Sequence, residues 1–312
     1  QARFWMRKAC GDGREKTARF FVDLLVGHGE PEDLAEAFSL AERLASEGHP
    51  FAYAMLGRMY ADGTGVEKDF TEAVRWMRMA AGEDPSYELT LADLLFDGGG
   101  SEDVAESAML YMWHDDVPHA MGRLGRMYRD GIGVGRDPVK AERYIRSAVD
   151  AGVSNSRLDL LDLLYSRDDE ASLSEFHEKA RMYAASGSKA ASERLGRAYR
   201  DGRGVGRDLS EAAGFMRVAA KGGPPRAKGE LLGILWSMGT DESLREMVTL
   251  AKGYAESGNA KAMGYLGRAY RDGKGVPQNL DTASYWLERS AEGGVAWAGR
   301  ELEALRNGEF HD

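Results

Sequence analysis

The sequence predicts an all-α protein, an α-solenoid of about eight helix-turn-helix repeats in which consensus-like and degenerate units alternate. Three observations lead to this prediction. A Leu-Gly-Arg-x-Tyr segment occurs four times at intervals of 68 to 71 residues, and an Asp-Gly-x-Gly-Val segment follows each copy. A weaker leucine-rich segment stands halfway between the copies, so the unit is about 35 residues long, as one helical hairpin requires. The strong segments begin at Leu56, Leu124, Leu195 and Leu266.

The strong segment is predicted to be the first helix of a unit. Leu124, Met127 and Tyr128 stand at positions i, i+3 and i+4, which places their side chains on one buried face of a helix. A single hairpin cannot bury such a face alone, so neighbouring units are expected to stack. The opposite side of this helix carries Arg123, Arg126 and Arg129.

The Asp-Gly-x-Gly-Val segment is predicted to be the turn, because glycine adopts the backbone angles that a tight helix-helix connection needs. The second helix begins just after it, where Asp69 and Glu72, like Asp208 and Glu211, have the spacing of a capping box. An aromatic residue recurs at one place in this helix and is expected to pack in the core. These aromatics are Trp5, Trp76, Tyr144, Phe215 and Trp286.

The weaker leucine-rich segments predict the first helices of degenerate units. They occupy residues 21–25, 91–95, 160–164 and 231–235. Together with the strong segments they divide the chain into a truncated unit at 1–13, eight repeats, and a terminal helix with a tail at 295–312. The predicted repeats are 14–49, 50–84, 85–118, 119–153, 154–188, 189–223, 224–259 and 260–294.

Composition excludes several classes of protein. The 312 residues include 51 acidic and 41 basic side chains, and this net charge of −10 argues against nucleic-acid binding. No apolar run approaches the roughly 18 residues that a membrane-spanning helix needs, so no membrane insertion is expected. The one cysteine, Cys10, cannot form an internal disulfide. The length suggests two domains, but the repeats predict one array over 1–312.

These segments resemble the SEL-one-like repeat, a relative of the tetratricopeptide repeat. Residues 262–291 carry most of the family pattern, with Asn279 in an Asp place and Ser290 in an Ala place. The resemblance implies a right-handed superhelix that serves as an adaptor in protein complexes, with first helices lining its concave surface. It also implies a family found in signalling, in membrane-associated quality control and in bacterial envelope or host-interaction systems, and it implies no catalytic residues.

Charged residues alternate along the outward face of the predicted first helices. Aspartate occupies the central position in degenerate units and arginine occupies it in consensus-like units. We therefore expect a structural charge ladder between neighbouring repeats, in which each arginine pairs with an aspartate on an adjacent helix. The ladder comprises Asp23, Arg58, Asp93, Arg126, Asp162, Arg197 and Arg268, with Gly233 as the exception.

One helical turn further along, aromatic residues of degenerate units alternate with arginines of consensus-like units. Arginine and large aromatic side chains dominate binding hot spots. We expect a concave groove for a protein or peptide, although slight rotation of the degenerate units would instead bury the aromatics between repeats. The groove would be formed by Phe96, Arg129, Tyr165, Arg200, Trp236 and Arg271.

The sequence thus predicts a noncatalytic interaction scaffold with no cofactor and no metal site. The polar cluster His114, Asp115, Asp116 and His119 is interpreted as the solvated end of a helix. The alternative is an appended regulatory or glycan-recognising region of a larger cell-surface polysaccharide-synthesis enzyme, with an acidic glycan as ligand. Because the sequence starts inside a unit, further chain is expected upstream, and no compartment is predicted.

Overall fold

The computed structural model describes residues 15–308 and contains seventeen α-helices and no strand within that range. The all-α solenoid class is therefore confirmed. The helix predicted at 1–13 lies outside the described residues, as does the end of the predicted tail. No described helix combines the length and the apolar character that crossing a membrane requires.

Sixteen of the helices form eight consecutive pairs of a first and a second helix that contact each other, and one more helix follows them. The first helices are α1 (Glu15–His28), α3 (Pro50–Asp62), α5 (Glu88–Gly98), α7 (Pro118–Asp130), α9 (Ser154–Ser166), α11 (Lys189–Asp201), α13 (Pro225–Met238) and α15 (Ala260–Asp272). The second helices are α2 (Pro31–Ser46), α4 (Phe70–Glu83), α6 (Ser101–Trp113), α8 (Pro138–Asp150), α10 (Glu170–Ala185), α12 (Leu209–Ala220), α14 (Asp241–Glu256) and α16 (Leu280–Glu292), and the last helix is α17 (Ala296–Arg306).

The Asp-Gly-x-Gly-Val turn uses its two glycines for different reasons. The first glycine, such as Gly131 after α7, ends the helix in the left-handed region at φ 72°. The second, Gly133, has φ +70°, and a Cβ there would lie 2.5 Å from the carbonyl oxygen of Val104 on the preceding second helix. The turn therefore packs directly on the hairpin before it, which leaves no room for a side chain.

The glycine of the Leu-Gly-Arg segment sets the distance between the two helices of a consensus hairpin. A Cβ on Gly125 would lie 2.6 Å from Cγ1 and 3.1 Å from the backbone nitrogen of Ile145. Close packing also brings the repeated aromatics together. Tyr128 stacks on Tyr144 with ring centroids 5.9 Å apart, as Tyr199 stacks on Phe215 at 5.7 Å.

Contacts between Cα atoms divide the chain into two compact units, Gln1–Leu160 and Leu161–Asp312, with the boundary inside α9. The described part of the first unit has cores of alanine, leucine, methionine and aromatic side chains between its stacked hairpins. In the second unit, Leu287, Val295, Ala298 and Leu302 form a core between α16 and α17. The repeat boundaries given above remain a prediction.

Candidate functional site

The six residues of the predicted groove lie near the C-terminal ends of first helices, and all six are half-buried. Phe96 and Arg129 belong to the first unit. Tyr165, Arg200, Trp236 and Arg271 belong to the second unit. The aromatic side chains are therefore neither fully exposed nor buried out of reach.

Each arginine of this set is held between two carboxylates. The Arg129 guanidinium donates to Asp130, the next residue, at 2.8 Å and to Asp159 on α9 at 2.9 Å. Arg200 and Arg271 repeat the arrangement, with Asp201 and Glu230 around the former and Asp272 and Glu301 around the latter. We call each set of one arginine and two carboxylates a clamp. The hydrogen bond from Arg129 holds the pKa of the Asp130 carboxyl below its ordinary value.

The aromatic residues are covered by cations other than the predicted arginines. The Arg123 guanidinium lies 4.9 Å from the centroid of the Phe96 ring, and Arg203 lies at the same distance from Tyr165. The ammonium of Lys274 stands 5.1 Å from the centroid of Trp236. The predicted arginines are unavailable for these rings because the clamps hold them on carboxylates.

The ladder aspartates of α5 and α9 bind the first arginine of the next consensus hairpin. Asp93 accepts from the guanidinium of Arg123 at 3.0 Å, from the hydroxyl of Tyr111 at 2.6 Å, and forms a hydrogen bond with His119 at 2.9 Å. Burial, followed by the hydrogen bond to Asp93, raises the pKa of Tyr111. Asp162 accepts from Arg194 at 2.6 Å.

The ladder arginines of α7, α11 and α15 bind carboxylates on α9, α13 and α17, and none of these carboxylates belongs to the predicted ladder. Arg126 donates to Asp159 on α9 at 2.8 Å, whereas the ladder residues of the two neighbouring first helices are Asp93 and Asp162. Arg197 donates to Glu230 at 2.7 Å, and Arg268 binds Glu301. Asp159 stands one turn nearer the N-terminus of α9 than Asp162 does, and Glu230 stands equally far before Gly233 on α13, because long side chains lean toward the N-terminus of their helix.

The first two residues of the charge ladder, Asp23 and Arg58, have a different environment. Asp23 and Arg58 line one small cavity of about 30 Å³, together with Arg19. The first consensus hairpin also lacks a clamp arginine, because Ala61 occupies the place of Arg129. The clamps are therefore features of α7, α11 and α15.

The exception in the ladder, Gly233, makes room for a tyrosine. A Cβ on Gly233 would lie 2.7 Å from the hydroxyl oxygen of Tyr265, which stands where other consensus helices carry Arg123 and Arg194. A glycine and a tyrosine thus replace the aspartate and arginine of the equivalent pair. Burial raises the pKa of the Tyr265 phenol.

This replacement completes an aromatic run across α13, α15 and α17 of the second unit. The centroid of Tyr265 lies 6.4 Å from that of Trp236 on α13 and 5.6 Å from that of Trp297 on α17. The Arg268 guanidinium lies 3.9 Å above the Trp297 ring. Sequence reasoning included Trp236 but missed Tyr265 and Trp297. The signal for Tyr265 is the change from arginine to tyrosine at one repeat position.

The histidines of the polar cluster bind separate carboxylates. His114 forms a hydrogen bond with Glu88 at 2.6 Å, whereas His119 binds Asp93. Within residues 15–308 no group of three or more acidic, histidine or cysteine side chains is arranged to hold a metal ion.

Acid is expected to weaken the clamps. The pKa values of Asp130 and Asp201 are lowered in the folded chain, chiefly by hydrogen bonds from Arg129 and Arg200. The stabilisation is therefore present above the ordinary pKa of 3.8 and is lost as the pH falls through the lower folded pKa. Urea denaturation at pH 6 and pH 3 should show a smaller acid-induced loss of stability in the double variant Arg129→Gln/Arg200→Gln than in the parent chain.

The matched control for this experiment is Arg207→Gln/Arg300→Gln. It removes two exposed cations that take no part in a clamp, so its acid-induced loss should equal that of the parent chain. An equal loss in the clamp variant and the parent chain would contradict the assignment of the effect to the clamps.

Comparison with known proteins gives matches over much of the chain. A model of the Sel1 repeat family matches residues 1–13, 24–49, 50–84, 118–153, 189–224 and 260–295, which together are more than half of the sequence. Over 163 residues the chain is 28% identical to the uncharacterized protein NMB1327 of Neisseria meningitidis serogroup B. That alignment covers 40% of this chain and 34% of the other protein, so the chain spans about a third of the length of this curated relative.

Two solved structures are similar over nearly the whole chain. A Sel1 repeat protein from Oxalobacter formigenes has a TM-score of 0.72 and 26% identity, with 96% of this chain and 90% of that one covered. The protein c5321, a protective antigen present in uropathogenic Escherichia coli strains and displaying an SLR fold, has a TM-score of 0.50 and 25% identity, with 97% and 74% covered. The resemblance inferred from the repeated segments is confirmed, and the chain belongs to the Sel1 repeat family.

Proposed function

We propose that the chain is a noncatalytic scaffold that binds a segment of a partner protein along its row of first helices. Sel1 repeat proteins are generally protein-interaction scaffolds, and the family is generally non-catalytic. The observation that carries the proposal is the aromatic run of Trp236, Tyr265 and Trp297, with Arg268 and Lys274 against its rings. Half-buried aromatics beside arginine are the side chains that most often dominate protein-protein binding energy.

Because of the clamps, the arginines and the aromatic residues of the predicted groove have different roles in binding. Arg129, Arg200 and Arg271 already bind two carboxylates each, so their charges are largely balanced within the chain. The clamps fix the positions of these arginines, which form a polar edge beside the aromatic rings. Phe96, Tyr165 and Trp236 are then the anchors, because an apolar side chain of the partner gains most by covering an aromatic ring.

The test uses peptides selected from a random twelve-residue library on the full chain. Their dissociation constants are then measured by fluorescence anisotropy on the parent chain and on Trp236→Ala. We expect at least about tenfold weaker binding to Trp236→Ala, since hot-spot aromatics contribute about 2 kcal/mol or more.

Trp113→Ala is the matched control because Trp113 is 81% exposed on a second helix, away from the row. Circular dichroism establishes that both variants fold. Selected peptides that bind Trp236→Ala and Tyr165→Ala as tightly as the parent chain, but lose affinity for Trp113→Ala, would contradict the proposal.

A further inference from the structure

A second surface of the Leu161–Asp312 unit has the chemistry of a binding site. A cavity of about 530 Å³ opens where α13, α15 and α17 begin and where the preceding second helices end. Eleven residues line it; three are the cations Arg226, Lys228 and Lys261, and none is acidic. The charged side chains of the cavity are therefore all cations, although the chain has more acidic than basic residues.

The cations of the cavity differ in how far they are already neutralised. Arg226 donates to Glu193, so its charge is balanced within the chain. Lys228 extends over the ring of Tyr254, with the ammonium 5.1 Å from the centroid, and Lys261 is exposed. Among residues 15–308 no carboxylate lies within ion-pair distance of either lysine. The cavity therefore presents about two uncompensated positive charges.

The cavity has free space beside the two lysines. Gly258 and Gly294 both have φ +83°, and a Cβ on either would meet no atom within 4 Å. Asn259 is buried, and its amide donates to the Pro225 carbonyl and accepts from the backbone N–H of Ala262. This asparagine caps the start of α15 and links it to the start of α13.

From these features we infer that the cavity binds carboxylate side chains of an acidic peptide segment of a partner protein. Its volume lies in the range of about 300–1,000 Å³ that is typical of clefts for small ligands. No aromatic ring lines it, so a sugar would find no face to stack on, and three cations are too few for the phosphate track of a nucleic acid. Two lysine ammonium groups fit two carboxylates as point charges.

This inference concerns a site separate from the aromatic run. A partner could contact the aromatic run through apolar side chains and this cavity through acidic ones, but each contact can be abolished alone. Failure of the cavity assignment would leave the proposed scaffold function intact, and the reverse also holds, because different substitutions test the two.

The test measures anisotropy of a fluorescein-labelled decapeptide of alternating glutamate and serine on the full chain. The double variant Lys228→Gln/Lys261→Gln should bind about tenfold more weakly than the parent chain, and its affinity should depend less steeply on salt concentration. The control Lys221→Gln/Lys252→Gln removes the same charge from exposed lysines outside the lining and should bind as the parent chain does. Trp236→Ala should leave decapeptide binding unchanged.

Two further probes distinguish other sources of negative charge. Inorganic phosphate and an oligomer of galacturonic acid compete against the labelled decapeptide, and weak competition by both is the expected result. The inference is overturned if the two lysine double variants lose affinity equally, if the decapeptide does not bind, or if either competitor displaces it at concentrations below those of the unlabelled decapeptide. Thermal melting of each variant shows that the fold is retained.

Discussion

The substitution Gly133→Ala is expected to lower the free energy of unfolding by about 3 kcal/mol. Two costs add in the folded chain. An alanine at φ +70° costs about 1–2 kcal/mol, and its Cβ would stand 2.5 Å from the Val104 carbonyl oxygen, where backbone must move. Guanidinium denaturation gives the total loss, and hydrogen exchange should place it in the hairpin of α7 and α8 and in the adjoining α6.

The same turn supplies the control, because Gly135 stands two residues later. Its φ is not positive, and a Cβ on it would meet nothing within 4 Å. Gly135→Ala should therefore change stability by less than about 0.5 kcal/mol. Equal losses of stability in Gly133→Ala and Gly135→Ala would show that the turn does not contact α6 as closely as described.

The second large effect is expected at the Gly233 and Tyr265 pair. Gly233→Asp alone should destabilise the chain by about 2 kcal/mol, because its Cβ would overlap the Tyr265 hydroxyl, 2.7 Å away. Adding Tyr265→Arg converts the pair to the kind formed by Asp162 and Arg194, so the double variant should recover part of the loss. A double-mutant cycle from urea denaturation should give a favourable coupling of about 1 kcal/mol or more.

Gly253→Asp is the control for introducing an aspartate into a helix. Gly253 is exposed on α14, and a Cβ there would meet no atom within 4 Å, so this variant should show no coupling to Tyr265→Arg. Additive effects of Gly233→Asp and Tyr265→Arg on the free energy of unfolding would mean that the introduced aspartate and arginine do not form an ion pair.

The hairpins could be predicted from the sequence because their signals are local. The face of Leu124, Met127 and Tyr128 lies within one helix, and all three side chains are buried in the structure. The turn glycines have positive φ, and Asp69 accepts the backbone N–H of Glu72 as a capping residue does. These features depend on residues at most a few positions apart, where helical geometry alone fixes the contacts.

The partners of the charged residues could not be predicted in the same way. Alternation of aspartate and arginine indicates that neighbouring first helices carry complementary charge, but it contains no information on their offset along the axis. Arg126 binds Asp159 and Asp93 binds Arg123 because of that one-turn offset. The aromatic run could not be predicted for a related reason. The Tyr265 hydroxyl has room because Gly233, on another helix, has no side chain, and the sequence does not show that these two residues meet.

The clamps also constrain how such an array can lengthen or shorten. Each one combines an arginine and an aspartate from the end of a consensus first helix with a carboxylate from the next degenerate first helix or, for Arg271, from α17. Copying a single hairpin would place two arginines or two carboxylates side by side, and like charges at that distance repel. Gene duplication and loss should therefore preserve these contacts only in steps of two hairpins, the interval of about 71 residues at which the Leu-Gly-Arg-x-Tyr segment returns.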